Sequence, residues 1–243
     1  MVFPIVSLKF LDDLCTAYAW LQIHGYALDT ISEYTAMLKH RNFPGEQYPT
    51  PLAALHIPQN ALQERDVDEL ALGHFVTART FLLLHELGHV YRGTEALTLE
   101  QSQQNEEAAD AFAAEVMSRT LLPPLGILVF FMADLSWADY PPKPNTHPLS
   151  GRRMRALAAR LEDRQLAAAI RTLGEVADDP DTRAGIILTA KTTDESMLAP
   201  RKGHLQMRAL PIVLRITARS RFRGHTRLNR CRISIARTRS PRK

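Results

Sequence analysis

Apolar residues recur every three or four positions through the first part of the chain. Leu8, Leu11, Leu14, Cys15, Tyr18 and Leu21 share one face of a helix placed within 7–42, and a second helical piece follows at about Leu28–Leu38. Breaks at Pro44-Gly45, Pro49, Pro51 and Pro58 mark a loop, inside which Ala53–Ile57 has the length of one short strand. The longest helical pattern runs from Asp66 to Arg92, with Asp66, Asp68 and Glu69 at its positive end and Arg92-Gly93 at its finish. Its second half is so rich in leucine that the helix reads as apolar on nearly every face, and therefore as buried. A Thr-, Gln- and Ser-rich loop then precedes a helix at roughly Asn105–Arg119, whose small residues Ala108, Ala109, Ala111, Ala113 and Ala114 allow another backbone to come close. Pro123-Pro124 ends it. Further helices are expected at Gly126–Trp137, at Gly151–Arg164 with Ser150 as N-cap, and on to about Val176.

After Asp178-Asp179-Pro180-Asp181 the periodicity fades, apart from short apolar stretches at Ile186–Leu188 and Ala209–Ile216. The expected architecture is mainly α, with at most a small β-sheet. It comprises a folded domain at 1–180, whose central part is about 66–165, and a basic C-terminal extension at 181–243 expected to have little order.

Charge supports that division. The net charge of +4 conceals 15 basic residues against two acids in 191–243, leaving 15 basic against 24 acidic residues in the first 190. The alkaline character belongs to the extension, and the body is mildly acidic. Apolar content of 45% and charged content of 23% are those of a globular protein. Lys9, Asp12 and Asp13 interrupt any signal-peptide core, and the apolar run Leu121–Met132 is too short to span a bilayer. Cys15 and Cys231 give neither a disulfide framework nor a paired-cysteine metal signal. A cytoplasmic protein is expected.

The chemistry is concentrated where the apolar pattern is interrupted. His85, Glu86 and His89 stand among Phe81, Leu82, Leu83, Leu84, Leu87 and Val90. Burying two imidazoles and a carboxylate there costs several kcal/mol unless each finds a partner. A divalent metal is such a partner. Residues four apart on a helix share a face, so His85 and His89 can bind one ion, while Glu86, about 100° round, can reach a water beside it. This is the H-E-x-x-H arrangement of zinc metallopeptidases. A chance match falls in about one chain in a hundred of this length, so the context decides. Seventeen residues on, Glu106-Glu107-Ala108-Ala109-Asp110 offers a third ligand, Glu106 being favoured over Glu107 by its four-residue spacing to Asp110. Asp110 would orient a ligating imidazole. His147 supplies a late cationic or hydrogen-bonding group, and Arg153 follows it on a helix. His74 reads as a polar side chain in the roof of the site, and Glu115 as a solvated position.

As an ordered set, His85-Glu86-Leu87-Gly88-His89, then Glu106-x-x-x-Asp110, then Thr146-His147-Pro148 with Arg153, resembles the three-part pattern of gluzincin peptidases. It is similar to the group that holds the HtpX heat-shock protease and the CAAX prenyl endopeptidase. The likeness covers about residues 70–165. It implies a zincin-like helical domain with zinc held by His85, His89 and Glu106, Glu86 as general base and Asp110 behind a ligand. It also implies that His147 and Arg153 lie near the substrate cleft, steadying the tetrahedral intermediate or the helix that bears the glutamate. Those relatives cross membranes and carry a longer insert between second and third ligands. The short spacing resembles that of soluble ImmA/IrrE-type and Lit-type phage-exclusion peptidases, and Phe112-Ala113-Ala114-Glu115 also resembles the ImmA/IrrE type, which implies a protein or peptide substrate in solution.

Two other functions fit the sequence. One is a regulatory or structural protein that binds zinc without cleaving peptides. The other is non-specific nucleic-acid association through the arginines of 201–243.

Overall fold

Helix α4 (Arg65–Arg92) is the axis of the computed structural model, and the other long elements are arranged around it. The structure describes residues 5–43, 48–93, 98–120, 122–137, 147, 149–192 and 198–202, with the pairs 214–215 and 234–235. In chain order the remaining helices are α1 (Ile5–Ile23), α2 (Thr30–His40), the single turn α3 (Pro51–Ala54), α5 (Leu99–Arg119), α6 (Ile127–Trp137), α7 (Gly151–Ala158), α8 (Arg164–Asp178) and α9 (Pro180–Thr192). Strands β1 (Leu214–Arg215) and β2 (Ser234–Ile235) form one antiparallel pair, Leu214 opposite Ile235. The expected mainly helical class with a minimal sheet is what the chain forms. Among the described residues, no helix is long and apolar enough to cross a membrane.

Helices α1 and α5 flank α4, while α6 lies against α2, α4 and α8, and α7 bridges α5 and α8. The core between them is built from Leu14, Tyr18 and Leu21 of α1, Ile31 and Met37 of α2, Phe81 of α4, Met117 of α5, Phe131 of α6 and Ile170 of α8, each at most 1% exposed. Burial of that size is the main favourable contribution to folding. Two hydroxyls fix α2 on α6: Ser32 donates to the Met132 carbonyl at 2.9 Å, and Ser136 donates to the Ser32 carbonyl at 2.7 Å. The approach to α6 is seated on α4 by Gly126, whose N–H donates to the Thr77 hydroxyl at 2.8 Å. A side chain at Gly126 would run into the α4 backbone at His74 and Ala78.

Local chemistry moves several expected boundaries. Ala53–Ile57 is not a strand: Thr50 caps and Pro51 opens one helical turn, the Thr50 hydroxyl accepting from the Ala53 N–H. Helix α5 begins six residues before the expected Asn105, because Thr98 and Gln101 form a reciprocal capping box inside the apparent loop. Helix α7 stops at Ala158, and Asp163 starts α8 by accepting from the N–H groups of Gln165 and Leu166. Beyond the expected limit at 180, Asp179 caps a further helix, α9, that packs on α2 and buries Ala190. Lys202 then pairs with Tyr26 in a short antiparallel bridge.

Helix α4 is also not buried all round. Val67, Ala71, His74, Ala78, Phe81 and His85 face the interior, but Leu72, Leu83, Leu87 and Val90 are 43–73% exposed. Its neighbours cover one side, and the opposite flank carries an open apolar stripe. Of the basic extension, residues 203–213, 216–233 and 236–243 lie outside the described residues, and with them most of the proposed nucleic-acid contact.

Candidate metal centre

The approach of α4 to α5 builds the site. Gly88, inside the H-E-x-x-H run, faces Ala109, and a β-carbon on Gly88 would stand 3.0 Å from the Ala109 Cα. The small residues at this contact let the two backbones come close enough for side chains of both helices to meet. His85 and His89 project from α4 and Glu106 from α5. His147 enters from the connection ahead of α7, and one ligand atom from each of the four lies within 4.8 Å of the others.

The individual distances match a coordination sphere. His85 Nε2 and His89 Nε2 are 3.0 Å apart; Glu106 Oε1 is 3.1 Å from His89 Nε2 and 3.0 Å from His147 Nδ1; Glu106 Oε2 is 3.4 Å from His85 Nε2. Bonds of ~2.0–2.1 Å at tetrahedral angles would set ligand atoms about 3.3 Å apart. Two ring nitrogens face each other at hydrogen-bond distance, an arrangement that needs a proton or a cation between them. Glu106 Oε2 is buried without a hydrogen-bond partner among the described residues. The residues therefore fit a divalent metal, with a borderline nitrogen and oxygen donor set.

The ligand groups are held from behind. His85 is 2.8 Å from Asp110 Oδ1 through Nδ1, so the imidazole donates Nδ1–H to the carboxylate and keeps the Nε2 lone pair for the cluster. Arg153 donates to both Asp110 oxygens, Nε to Oδ2 at 2.7 Å and Nη2 to Oδ1 at 3.0 Å, and lies over the Phe131 ring. Its Nη1 is in ionic contact with Glu106 Oε2 at 2.9 Å, without a hydrogen bond between them. At 2% exposure Arg153 is an interior residue, turned towards the helix that bears Glu106 and away from solvent.

Charge in the site follows from these contacts. Burial favours a neutral His85, but the hydrogen bond to Asp110 and the nearby Glu106 carboxylate outweigh it and push the metal-free imidazole up to about 9. Burial likewise opposes ionised Glu106, yet contacts from His147, His85, His89 and Arg153 hold it well below the usual carboxylate range. Asp110 is depressed in the same way, burial being overcome first by Arg153 and then by His85. His147 is raised by its hydrogen bond to Glu106, and the charge of Glu86 adds to that effect.

The other sequence candidates fall outside the cluster. Glu86 is partly exposed and stands about 100° round α4 from His85. Glu107 is half-buried and turned from the cluster towards Arg152, whose Nε is 2.6 Å from its Oε1 and whose Nη1 also holds Glu100 at 2.8 Å. Glu115 pairs with Arg119 on the exposed side of α5. His74, expected in the roof, packs instead on the Tyr18 ring with its Nδ1 2.9 Å from the Leu70 carbonyl, and burial lowers it to about 4. Thr146 and Pro148, which flank His147 in the sequence pattern, lie outside the described residues. One acid escaped the sequence reading: Asp134 of α6, whose charge acts on Arg153 and which burial pushes upward against the pull of Arg153 and His147. A lone carboxylate in the apolar run Ile127–Trp137 was the available signal.

No curated protein and no solved structure matches the chain. A family model described as Peptidase U49 matches residues 15–171, from within α1 to within α8. That span is well over half of the sequence and contains His85, His89, Glu106, His147 and the Asp110–Arg153 pair behind them. The chain belongs to the peptidase U49 family.

Proposed function

We propose that this peptidase is a zinc-dependent endopeptidase that acts on a soluble protein substrate in the cytoplasm. The observation that carries the reading is the convergence of buried His85 and Glu106 with partly buried His89, while Glu86, one position on from His85 in α4, lies outside the ligand set. His85, His89 and Glu106 would hold the metal. Zinc bound there supplies Lewis acidity, polarising the scissile carbonyl and making water a stronger nucleophile near neutral pH.

The chain's own groups do the rest. Glu86 accepts a proton from the attacking water and delivers it to the departing amine as the C–N bond breaks. Asp110 fixes the His85 tautomer, and Arg153 balances the charges of Asp110 and Glu106, so the ligands stay in place through turnover. Arg153 is thus a positioning residue acting through those two carboxylates.

The test is Glu86→Gln. It should retain a full complement of zinc and lose peptide cleavage by at least about a hundredfold, the usual share of a general base. Undiminished cleavage in that variant would sink the assignment. One observation favours a second reading, a zinc protein without peptidase activity: His147 sits where it could complete four protein ligands, as in closed structural sites. Metal-replete wild-type protein that cleaves no peptide would establish that reading instead.

A further inference from the structure

We infer that His147 is a fourth, exchangeable ligand: it closes the resting metal site and gives up its place to the substrate. The inference rests on His85, His89 and Glu106 holding a metal, and it goes on to say how the site opens.

The four candidate ligands divide into two kinds. His85, His89 and Glu106 come from the middle or last turn of long helices, and the His85 and Glu106 side chains are each 4% exposed. Glu106 is braced by Arg153, and His85 by Asp110. The His147 side chain is 58% exposed and belongs to the connection before α7. Glu106 Oε1 is the one polar atom within hydrogen-bond distance of its ring that is recorded among the described residues. Its ring centre is 5.8 Å from that of His85 and 5.4 Å from that of His89, so the three imidazoles surround one point. Two donors braced from behind, a third carried on the last turn of α4, and one solvent-facing donor with no brace among the described residues make a site that is complete at rest and can release one member.

This arrangement reconciles two requirements. A structural zinc site is closed by four protein ligands, whereas hydrolysis needs a position for water and carbonyl oxygen. If His147 is the leaving ligand, the protein meets the first condition without substrate and the second with it. The released imidazole, within reach of the Glu86 charge, remains near the metal as a hydrogen-bond donor to the developing oxyanion.

The test counts imidazoles around zinc by X-ray absorption on the full-length protein, with acetohydroxamate as a bidentate mimic of water plus carbonyl. Wild type should show three imidazoles at rest and two with acetohydroxamate. His147→Ala and His147→Gln should show two throughout, bind zinc roughly tenfold or more weakly, and regain a third when free imidazole is added. Two imidazoles in resting wild type, or failure to retain zinc at all, overturns the inference. So does a third imidazole that persists with acetohydroxamate bound. Peptide cleavage measured alongside separates the two readings. Two imidazoles with Glu86-dependent cleavage rejects the fourth ligand and keeps the peptidase, while three falling to two without cleavage does the reverse.

Discussion

Gly88 and Ala109 meet with no room for a methyl group: a β-carbon on Gly88 would be 3.0 Å from the Ala109 Cα and 3.3 Å from its carbonyl oxygen. The atoms it would strike are helix backbone, which cannot rotate aside. Gly88→Ala should therefore destabilise the protein by ~1–3 kcal/mol through overpacking, outweighing the gain in helix propensity. It should also weaken zinc binding, because Glu106 would move away from His85 and His89. Gly73 in the same helix is the control, since among the described residues nothing lies within 4 Å of its β-position. Gly73→Ala should gain about 0.5–1 kcal/mol in urea denaturation. Equal effects at the two glycines would refute the close approach as the reason for Gly88.

Arg153 offers a second test. Replacing it with methionine leaves Asp110 and Glu106 as buried carboxylates without their counter-charge, which costs about 3–5 kcal/mol. Lysine keeps the charge but not the fork that meets both Asp110 oxygens, so Arg153→Lys should recover only part of the loss. Denaturant midpoints of the three proteins, measured with and without zinc, decide the matter. A methionine variant as stable as wild type would show that the pair contributes nothing.

The pH dependence of the metal-free protein follows from His85. Its folded value of about 9 lies above the ~6.5 of an unfolded imidazole. The protonated form is thus favoured by folding, and its stabilisation is fully present below about pH 6.5 and lost as pH rises through about 9. The total is on the order of 3 kcal/mol. Zinc replaces that proton, so the loaded protein should not weaken over this interval, and zinc uptake at pH 7 should release about one proton from His85. Unfolding curves taken with a chelator across that range, and calorimetry in buffers of different ionisation heat, measure the two effects. A chelated protein whose stability is flat between pH 6.5 and 9 would contradict the account.

The choice of third ligand separates two adjacent residues. Glu106→Ala should abolish stoichiometric zinc, whereas Glu107→Ala should keep it and lose only the partly exposed ion pair with Arg152, worth about 1 kcal/mol. Metal analysis of the purified variants is sufficient. Zinc lost from Glu107→Ala and kept by Glu106→Ala would reverse the assignment.

Much of this was legible from residue order. Helix α4 is bounded within one residue of its expected start because its acidic first turn and Arg92-Gly93 end are local signals. The spacing of two helical motifs suggested a carboxylate, Asp110, behind one of the two imidazoles, but only the packing of α4 on α5 singles out His85 as its partner. What failed depended on information away from each segment. Thr98 and Gln101 looked like loop residues because a capping box is recognised by its reciprocal hydrogen bonds, while composition alone favours a turn. The burial of Arg153 was hidden because an arginine beside a helix cap ordinarily reaches water. Here two acids on α5 and the Phe131 ring draw it inward. The exposed stripe from Leu72 to Val90 was missed for the opposite reason: apolar composition says that a surface seeks cover, and only the neighbours determine whether it finds any.

The bidentate contact between Arg153 and Asp110 also constrains how this sequence can drift. Neither residue touches solvent, and each satisfies the other, so an isolated substitution at either position strands its partner. Among related chains, positions 110 and 153 should change together or remain fixed, even where the surface arginine at 152 varies freely. Inheritance of the candidate metal cluster is therefore tied to a helix more than forty residues downstream.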